Sequence, residues 1–226
     1  MKRRASHGER KERVVILHGI GMNPLRMAWL NLGLRRAGYD TLNLAYPSLR
    51  QDIAGCARHV AETIERRTIR PHLKTHFVTH SMGSLVALEI MQQKLISDVS
   101  RAVLIAPPYR GSEVADYLAQ NFLYRRLFGP AGQQLTTTYR KTIDYAIPKD
   151  TEIGVIAGTR AWEYPLFLKI MKPSGVHDGL VSVASTQIPG IKDHITIRMS
   201  HSFLLEKSVA QTVQFLTQGR FNHPAM

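Results

Sequence analysis

The chain has 226 residues, enough for one α/β domain that buries about 70% of the surface its unfolded form exposes. Lys and Arg number 30 against 17 Asp and Glu, a net charge of +13, and a hydrophobic content of 44% argues against disorder. One cysteine excludes an intrachain disulfide and a zinc-thiolate cluster, and no run approaches the ~20 apolar residues a membrane-crossing helix needs.

In chain order, the basic residues of Met1 to Arg13 read as a solvated tail over 1–13. They lead to no secretory h-region, so the expected location is cytoplasmic. Val14–Leu17 reads as the first strand, Met27–Ala37 as a helix ended by Gly38, and Thr41–Ala45 as a second strand closed by Tyr46 and Pro47. Ile53, Ala57, Val60 and Ile64 recur on one helical face, and Cys56 among them reads as packing. Thr75–Val78 is a strand, followed by a helix to Leu95, and Ala102–Ile105 is another strand, broken by Ala106, Pro107 and Pro108. Ser112 is positioned to cap a helix to about Phe128, ended by Gly129 to Gly132. Gln133–Lys149 reads as irregular and Ile153–Ala157 as a strand. Ile195, Ile197 and Met199 alternate as a last strand, and Val209, Val213 and Leu216 mark a final helix that Gly219 stops. Alternation of short apolar strands with helices predicts one α/β domain over 14–226, with about six mostly parallel strands and helices on both faces.

The basic surface suits anionic lipid or nucleic acid without sequence reading. No helix-turn-helix, stacking motif or zinc-finger spacing accompanies it, so specific nucleic-acid recognition is not expected, whereas peripheral contact with an anionic membrane surface is compatible with it.

The densest local signal is Thr79-His80-Ser81-Met82-Gly83, between a strand and a helix. A serine at such a turn has its hydroxyl thrust outward, and the next backbone N–H lies at a helix N-terminus that favours negative charge. This marks Ser81 as a candidate nucleophile. The inert alternative is a serine that merely caps the following helix. The second signal is His18-Gly19-Ile20-Gly21 after the first strand. Acyl transfer builds charge on a carbonyl oxygen, and the N–H groups of Ile20 and Met82 are candidates to hold it. No metal or organic cofactor is required for that chemistry.

These two motifs resemble those of the α/β-hydrolase superfamily, in particular its small bacterial lipase- and esterase-like serine hydrolases. So do Pro107-Pro108-Tyr109-Arg110-Gly111-Ser112 and Asp178-Gly179-Leu180-Val181, which is similar to the acid-bearing Asp-Gly-x-Val of that group. The resemblance spans nearly the whole chain, and the single residue after Gly19 is similar to the pattern often found with medium- and long-chain acyl esters. Two departures stand out: Thr79 replaces the usual first glycine of Gly-x-Ser-x-Gly, and Ser84 stands where glycine is frequent.

The resemblance implies a base and an acid in the order Ser…Asp/Glu…His. His201, between the last strand and the final helix, is the expected base; His194 lies at the wrong end of that strand, His177 lies beside the acid, and His18 and His80 position loops. Asp178 is the expected acid, with Glu163 and Glu152 as alternatives, while Asp193 is too near the bottom of the last strand. Residues 109–150 and 158–177 are candidate lid segments. In them Val114, Tyr117, Leu118, Asn121 and Phe122, and Trp162 to Leu168 with Ile170 and Met171, follow helical spacing. Core packing is the usual fate of such stripes, and an apolar acyl pocket is the functional one. The expected substrate is a small-molecule acyl ester or lipid, with thioesterase and acyltransferase chemistry open. A catalytically silent fold that binds a lipid or partner also remains open.

Overall fold

The computed structural model describes residues 12–67, 74–161 and 173–223. Its centre is a sheet of six strands, all parallel, in the order β2-β1-β3-β4-β5-β6. The strands are β1 (Arg13–Leu17), β2 (Asp40–Leu44), β3 (Thr75–His80), β4 (Val99–Ile105), β5 (Glu152–Gly158) and β6 (Asp193–Ile197). The helices are α1 (Ala28–Arg36), α2 (Ile53–Arg67), α3 (Met82–Gln92), α4 (Glu113–Leu118), α5 (Phe122–Gln133), α6 (Thr137–Arg140), α7 (Leu204–Lys207) and α8 (Val209–Gln218).

Continuous apolar runs form these strands because both sheet faces are covered. Along β1, Val15 and Leu17 join one core layer with Cys56, Val60, Leu85 and Val86, beneath α2 and α3. Val14 and Ile16 join the other, with Leu30, Leu34, Phe215 and Leu216, beneath α1 and α8. Each fully buried side chain of this kind contributes about 1.5–3 kcal/mol. α1 and α3 leave adjacent strands for opposite faces, which makes the C-terminal ends of β1 and β3 a topological switch point, where sheets of this kind form their crevice. Both motifs singled out in the sequence sit at that switch point.

Most element ends shift by one to three residues from the sequence reading, and four differences are larger or change a residue's assignment. Arg13, assigned to the tail, opens β1, where its guanidinium meets Asp40 Oδ2 at 3.2 Å and the side chain is buried. The last strand begins at Asp193 and ends at Ile197, since its pairing with β5 stops there; Met199 continues the alternation but turns back on Ile197 O. The helix expected from Ser112 to Phe128 is two, because Asn121 accepts from the N–H groups of Leu123 and Tyr124 and starts α5 afresh. Gly129, with φ 58°, breaks α5 where the sequence places its end. Residues 133–149, expected to be irregular, contain α6, capped by Thr136. Among the described residues no helix is long and apolar enough to cross a membrane.

Candidate active site

Ser81 follows the last residue of β3 and precedes the first of α3. Its backbone, at φ 52° and ψ −126°, occupies a region that non-glycine residues rarely adopt, held there by Ser81 N–H donating to Ile105 O at 2.8 Å. Although Ser81 stands at the N-cap position, its side chain makes no capping hydrogen bond. The inert capping role is therefore not the one it plays. Its Oγ has no hydrogen-bond partner among the described residues, and the residue is 8% exposed.

The loop after β1 runs directly against this turn. A side chain at Gly83 would meet Leu17 O at 2.8 Å and His18 O at 2.6 Å, so the first turn of α3 can lie on β1 only with glycine there. A Cβ on Gly19 would stand 3.2 Å from Ser81 Cβ. His18 is buried, with Nδ1 2.8 Å from Gly19 O, and its ring stacks on Tyr46 at 4.4 Å. The Tyr46 hydroxyl donates to His18 O. Burial lowers the His18 pKa, against the opposing bond to Gly19 O, so the ring that braces this loop is neutral. The backbone N–H groups of Ile20 and Met82 have no hydrogen-bond acceptor among the described residues.

Thr79 and Ser84, the two departures from the glycine pattern, explain each other. Both are fully buried, and Thr79 Oγ1 donates to Ser84 Oγ at 2.9 Å, so one hydroxyl accommodates the other across the turn.

His201 lies in the loop between β6 and α7, at the C-terminal edge of the sheet. Its Nδ1 is 2.7 Å from Asp178 Oδ2, and both side chains are all but sealed from solvent. About twenty residues lie between β5 and Asp178, yet the chain returns to the strand end: a Cβ on Gly158 would meet Asp178 Cβ at 2.7 Å. Asp178 Oδ1 accepts from the N–H groups of Leu180 (3.0 Å) and Val181 (2.8 Å), and Asp178 O accepts from His201 N–H at 2.9 Å. Backbone amides thus fix one carboxylate oxygen while the other faces the imidazole, and Nε2 of His201 has no hydrogen-bond partner among the described residues. The His201 ring also packs on His80, centroids 4.6 Å apart, which places it against the residue adjoining Ser81.

The other acids and bases fall elsewhere. Glu152 pairs with Arg101 (2.8 Å) and Lys192 (3.4 Å) at the start of β5, the opposite end of the sheet. His194 is the second residue of β6, where it meets Thr186 Oγ1 at 3.0 Å, and Asp193 binds His223. His177 accepts from Gly179 N–H through Nδ1. Glu163 and the stripe from Trp162 to Met171 lie outside the described residues. Of the other stripe, Val114 is buried as expected, whereas Tyr117 and Phe122 face solvent. Sequence reasoning passes over Tyr46 and Arg26. Each acts on a backbone carbonyl distant in sequence, and no local pattern marks such a role.

No functionally curated protein matches this sequence. Among solved structures, a lipase of Bacillus licheniformis, BlEst2 in its mature form, superposes with a TM-score of 0.76 at 18% identity, over 94% of each chain. A carboxyl esterase of metagenomic origin gives 0.67 at 20% identity, over 86% of this chain and 65% of its own. The type II thioesterase YbtT of yersiniabactin biosynthesis gives 0.58 at 14%, over 93% and 94%. At such identities the likeness is one of fold. The sequence profile of the alpha/beta hydrolase family covers residues 14–183, which takes in β1 through the Asp178 loop and so both motifs of the crevice. With the profile spanning most of the chain and the parallel sheet matching that architecture, the protein is a member of the alpha/beta hydrolase family.

Proposed function

We propose that the protein is a serine hydrolase of carboxylic esters, acting through Ser81, His201 and Asp178. The observation that carries this reading is the sealed 2.7 Å pair of His201 and Asp178 beside a strained, uncapped Ser81. Serine needs a base to take its proton as it attacks. Ser81 Oγ adds to the acyl carbonyl carbon while His201 Nε2 takes the hydroxyl proton. Asp178 holds Nδ1–H and stabilises the imidazolium. The carbonyl oxygen gains the negative charge and is met by the N–H groups of Ile20 and Met82, each such donor being worth about 3 kcal/mol. Collapse expels the alcohol, which leaves with the proton from Nε2. Water then repeats the sequence on the acyl-enzyme, releasing the acid and restoring Ser81. Without substrate, serine–imidazole hydrogen bonds are often long, so the unpaired Oγ fits this cycle. The same parts serve thioesters and acyl transfer.

The close His201–Asp178 pairing weighs against a catalytically silent binding protein. A fluorophosphonate should label the wild type and spare Ser81→Ala, and a graded series of chromogenic acyl esters should then rank the substrates. Folded wild-type protein that takes no label would sink the reading. The buried Cys56, whose thiol pKa burial pushes up to about 12, fits packing in a reducing compartment such as the cytoplasm.

One surface favours a lipid substrate. Phe122 (69% exposed), Leu123 and Leu127 (55%) lie on the outer side of α5 with Arg125 and Arg126. Its inner side brings Phe128 to 3.7 Å of a Cβ built on Gly21, beside the crevice. Large apolar side chains mixed with arginines suit an anionic bilayer surface. Co-sedimentation with phosphatidylglycerol vesicles should weaken with salt and with the double change Leu123→Ser, Leu127→Ser.

A further inference from the structure

Residues 198–203, between the end of β6 and the start of α7, lie beyond the strand pairing that fixes the sheet. This loop must nevertheless hold the His201 imidazole to within a fraction of an ångström of its working position.

The loop is gripped through its backbone on both sides of that imidazole. His201 N–H donates to Asp178 O at 2.9 Å. His80 Nε2 lies 3.1 Å from His201 O, and Arg26 Nη2 donates to Ser202 O at 2.7 Å. His80 is the last residue of β3, directly before Ser81. Arg26 belongs to the 3-10 turn Pro24–Met27, which follows the His18–Gly21 loop. Its guanidinium is held in turn by Glu206 Oε1 on α7, at 3.3 Å.

We infer that His80 and Arg26 form a clamp: their donors hold the consecutive carbonyls of His201 and Ser202, and so position the His201 imidazole relative to Ser81 and the loop after β1. The inference rests on the hydrolase reading, and both are positioning residues. A carbonyl only accepts, so Nε2 of His80 carries the hydrogen. In the neutral ring Nδ1 is then bare, and it is buried with no partner among the described residues. A protonated His80 would aim a second N–H at no acceptor, with His201, Arg26 and His18 as its charged or chargeable neighbours. Burial first, and then His201, hold its pKa well below the ordinary value. The ring therefore stays neutral while His201, 4.6 Å away, carries the serine's proton.

Two amide substitutions separate reach from packing. In His80→Gln the amide nitrogen falls where Nε2 was, and in His80→Asn it falls where Nδ1 was. His80→Gln should keep kcat within about threefold of wild type, whereas His80→Asn should lower it about 10- to 100-fold with little change in KM. The deshielded Nδ1–H proton resonance of the His201–Asp178 pair should persist in the first and broaden or vanish in the second. Arg26→Met, at a partly exposed side chain, provides a second arm should the buried variants fail to fold; it should lower kcat about 5- to 20-fold. Equal activity of the two amide variants, or an Arg26→Met enzyme with unchanged kcat and resonance, would overturn the clamp. Absence of fluorophosphonate labelling in the wild type removes the hydrolase reading instead, and the resonance alone then decides whether the loop is clamped.

Discussion

Two histidine–aspartate pairs stand at opposite ends of the same sheet. His201 and Asp178 meet at 2.7 Å at the C-terminal edge, where both are buried. His223 and Asp193 meet at 2.9 Å at the N-terminal edge, where the histidine side chain is 55% exposed. The residue types are the same, but His201 meets its carboxylate through Nδ1 and His223 through Nε2, and their surroundings differ. Asp193 also accepts from the N–H groups of Phe221 (2.7 Å) and His194 (2.8 Å), tying the chain after α8 to β6. Asp178 spends one oxygen on two backbone amides and presents the other to an imidazole whose Nε2 has no partner among the described residues. A surface pair contributes little through its charges, whereas a sealed pair beside a crevice can hold a tautomer.

The largest expected effect breaks this comparison at the acid. Asp178→Asn should lower ester turnover about 10³- to 10⁴-fold, because the amide no longer favours the working tautomer or the imidazolium. Asp193→Asn should leave turnover within about threefold and instead cost about 1–2 kcal/mol of stability through weakened backbone hydrogen bonds. Steady-state kinetics and urea unfolding on both variants check this. Comparable losses of turnover from the two would erase the distinction between the edges.

Acid sensitivity sharpens the contrast next. Burial lowers the pKa of His80 and His18 near the crevice, and of His76 and His194 toward the other edge. A lowered histidine stays neutral in the fold while the unfolded chain takes up a proton near pH 6.5, so stability falls as pH drops below about 6.5. Asp193 has the same sign in a lower pH window: burial raises its pKa, but the bonds from Phe221, His223 and His194 outweigh it and lower the net value. Its contribution is present above about pH 3.9 and is lost as pH falls through the lowered value. In urea titrations between pH 6.5 and 5, His80→Gln should flatten the slope by at most about 1.4 kcal/mol per pH unit. Asp193→Asn should act mainly below that window, with at most a slight steepening within it because His194 loses the carboxylate that raises its pKa.

What is legible in the sequence is whatever is encoded locally. Val14–Leu17 and Ala102–Ile105 announce buried parallel strands by their apolar runs, and the turn around Ser81 is written in five adjacent residues. The helix break at Asn121 escapes such a reading because the apolar spacing of Val114, Tyr117, Leu118 and Phe122 continues across it, while Tyr117 and Phe122 in fact face solvent. Arg26 and Tyr46 escape it because each grips a carbonyl supplied by a distant segment. In sequence Thr79 and Ser84 look like two separate departures; only their 2.9 Å contact makes them one feature.

That contact sets the smallest prediction. Thr79 and Ser84 are both fully buried, whereas Arg101 and Glu152, 2.8 Å apart at the opposite edge, are partly exposed. Removing one hydroxyl leaves the other buried and unpaired, so Thr79→Ala or Ser84→Ala alone should cost about 1–3 kcal/mol. Removing both should cost less than the sum, with a coupling of about 0.5–1.5 kcal/mol in a double-mutant cycle. The Arg101–Glu152 cycle should give at most about 1 kcal/mol and shrink with added salt, since solvent screens that pair. Salt should leave the hydroxyl coupling unchanged because neither partner is charged. A salt-dependent Thr79–Ser84 coupling, or none at all, would mean that the two side chains reached their positions independently and that packing alone admits a threonine before His80.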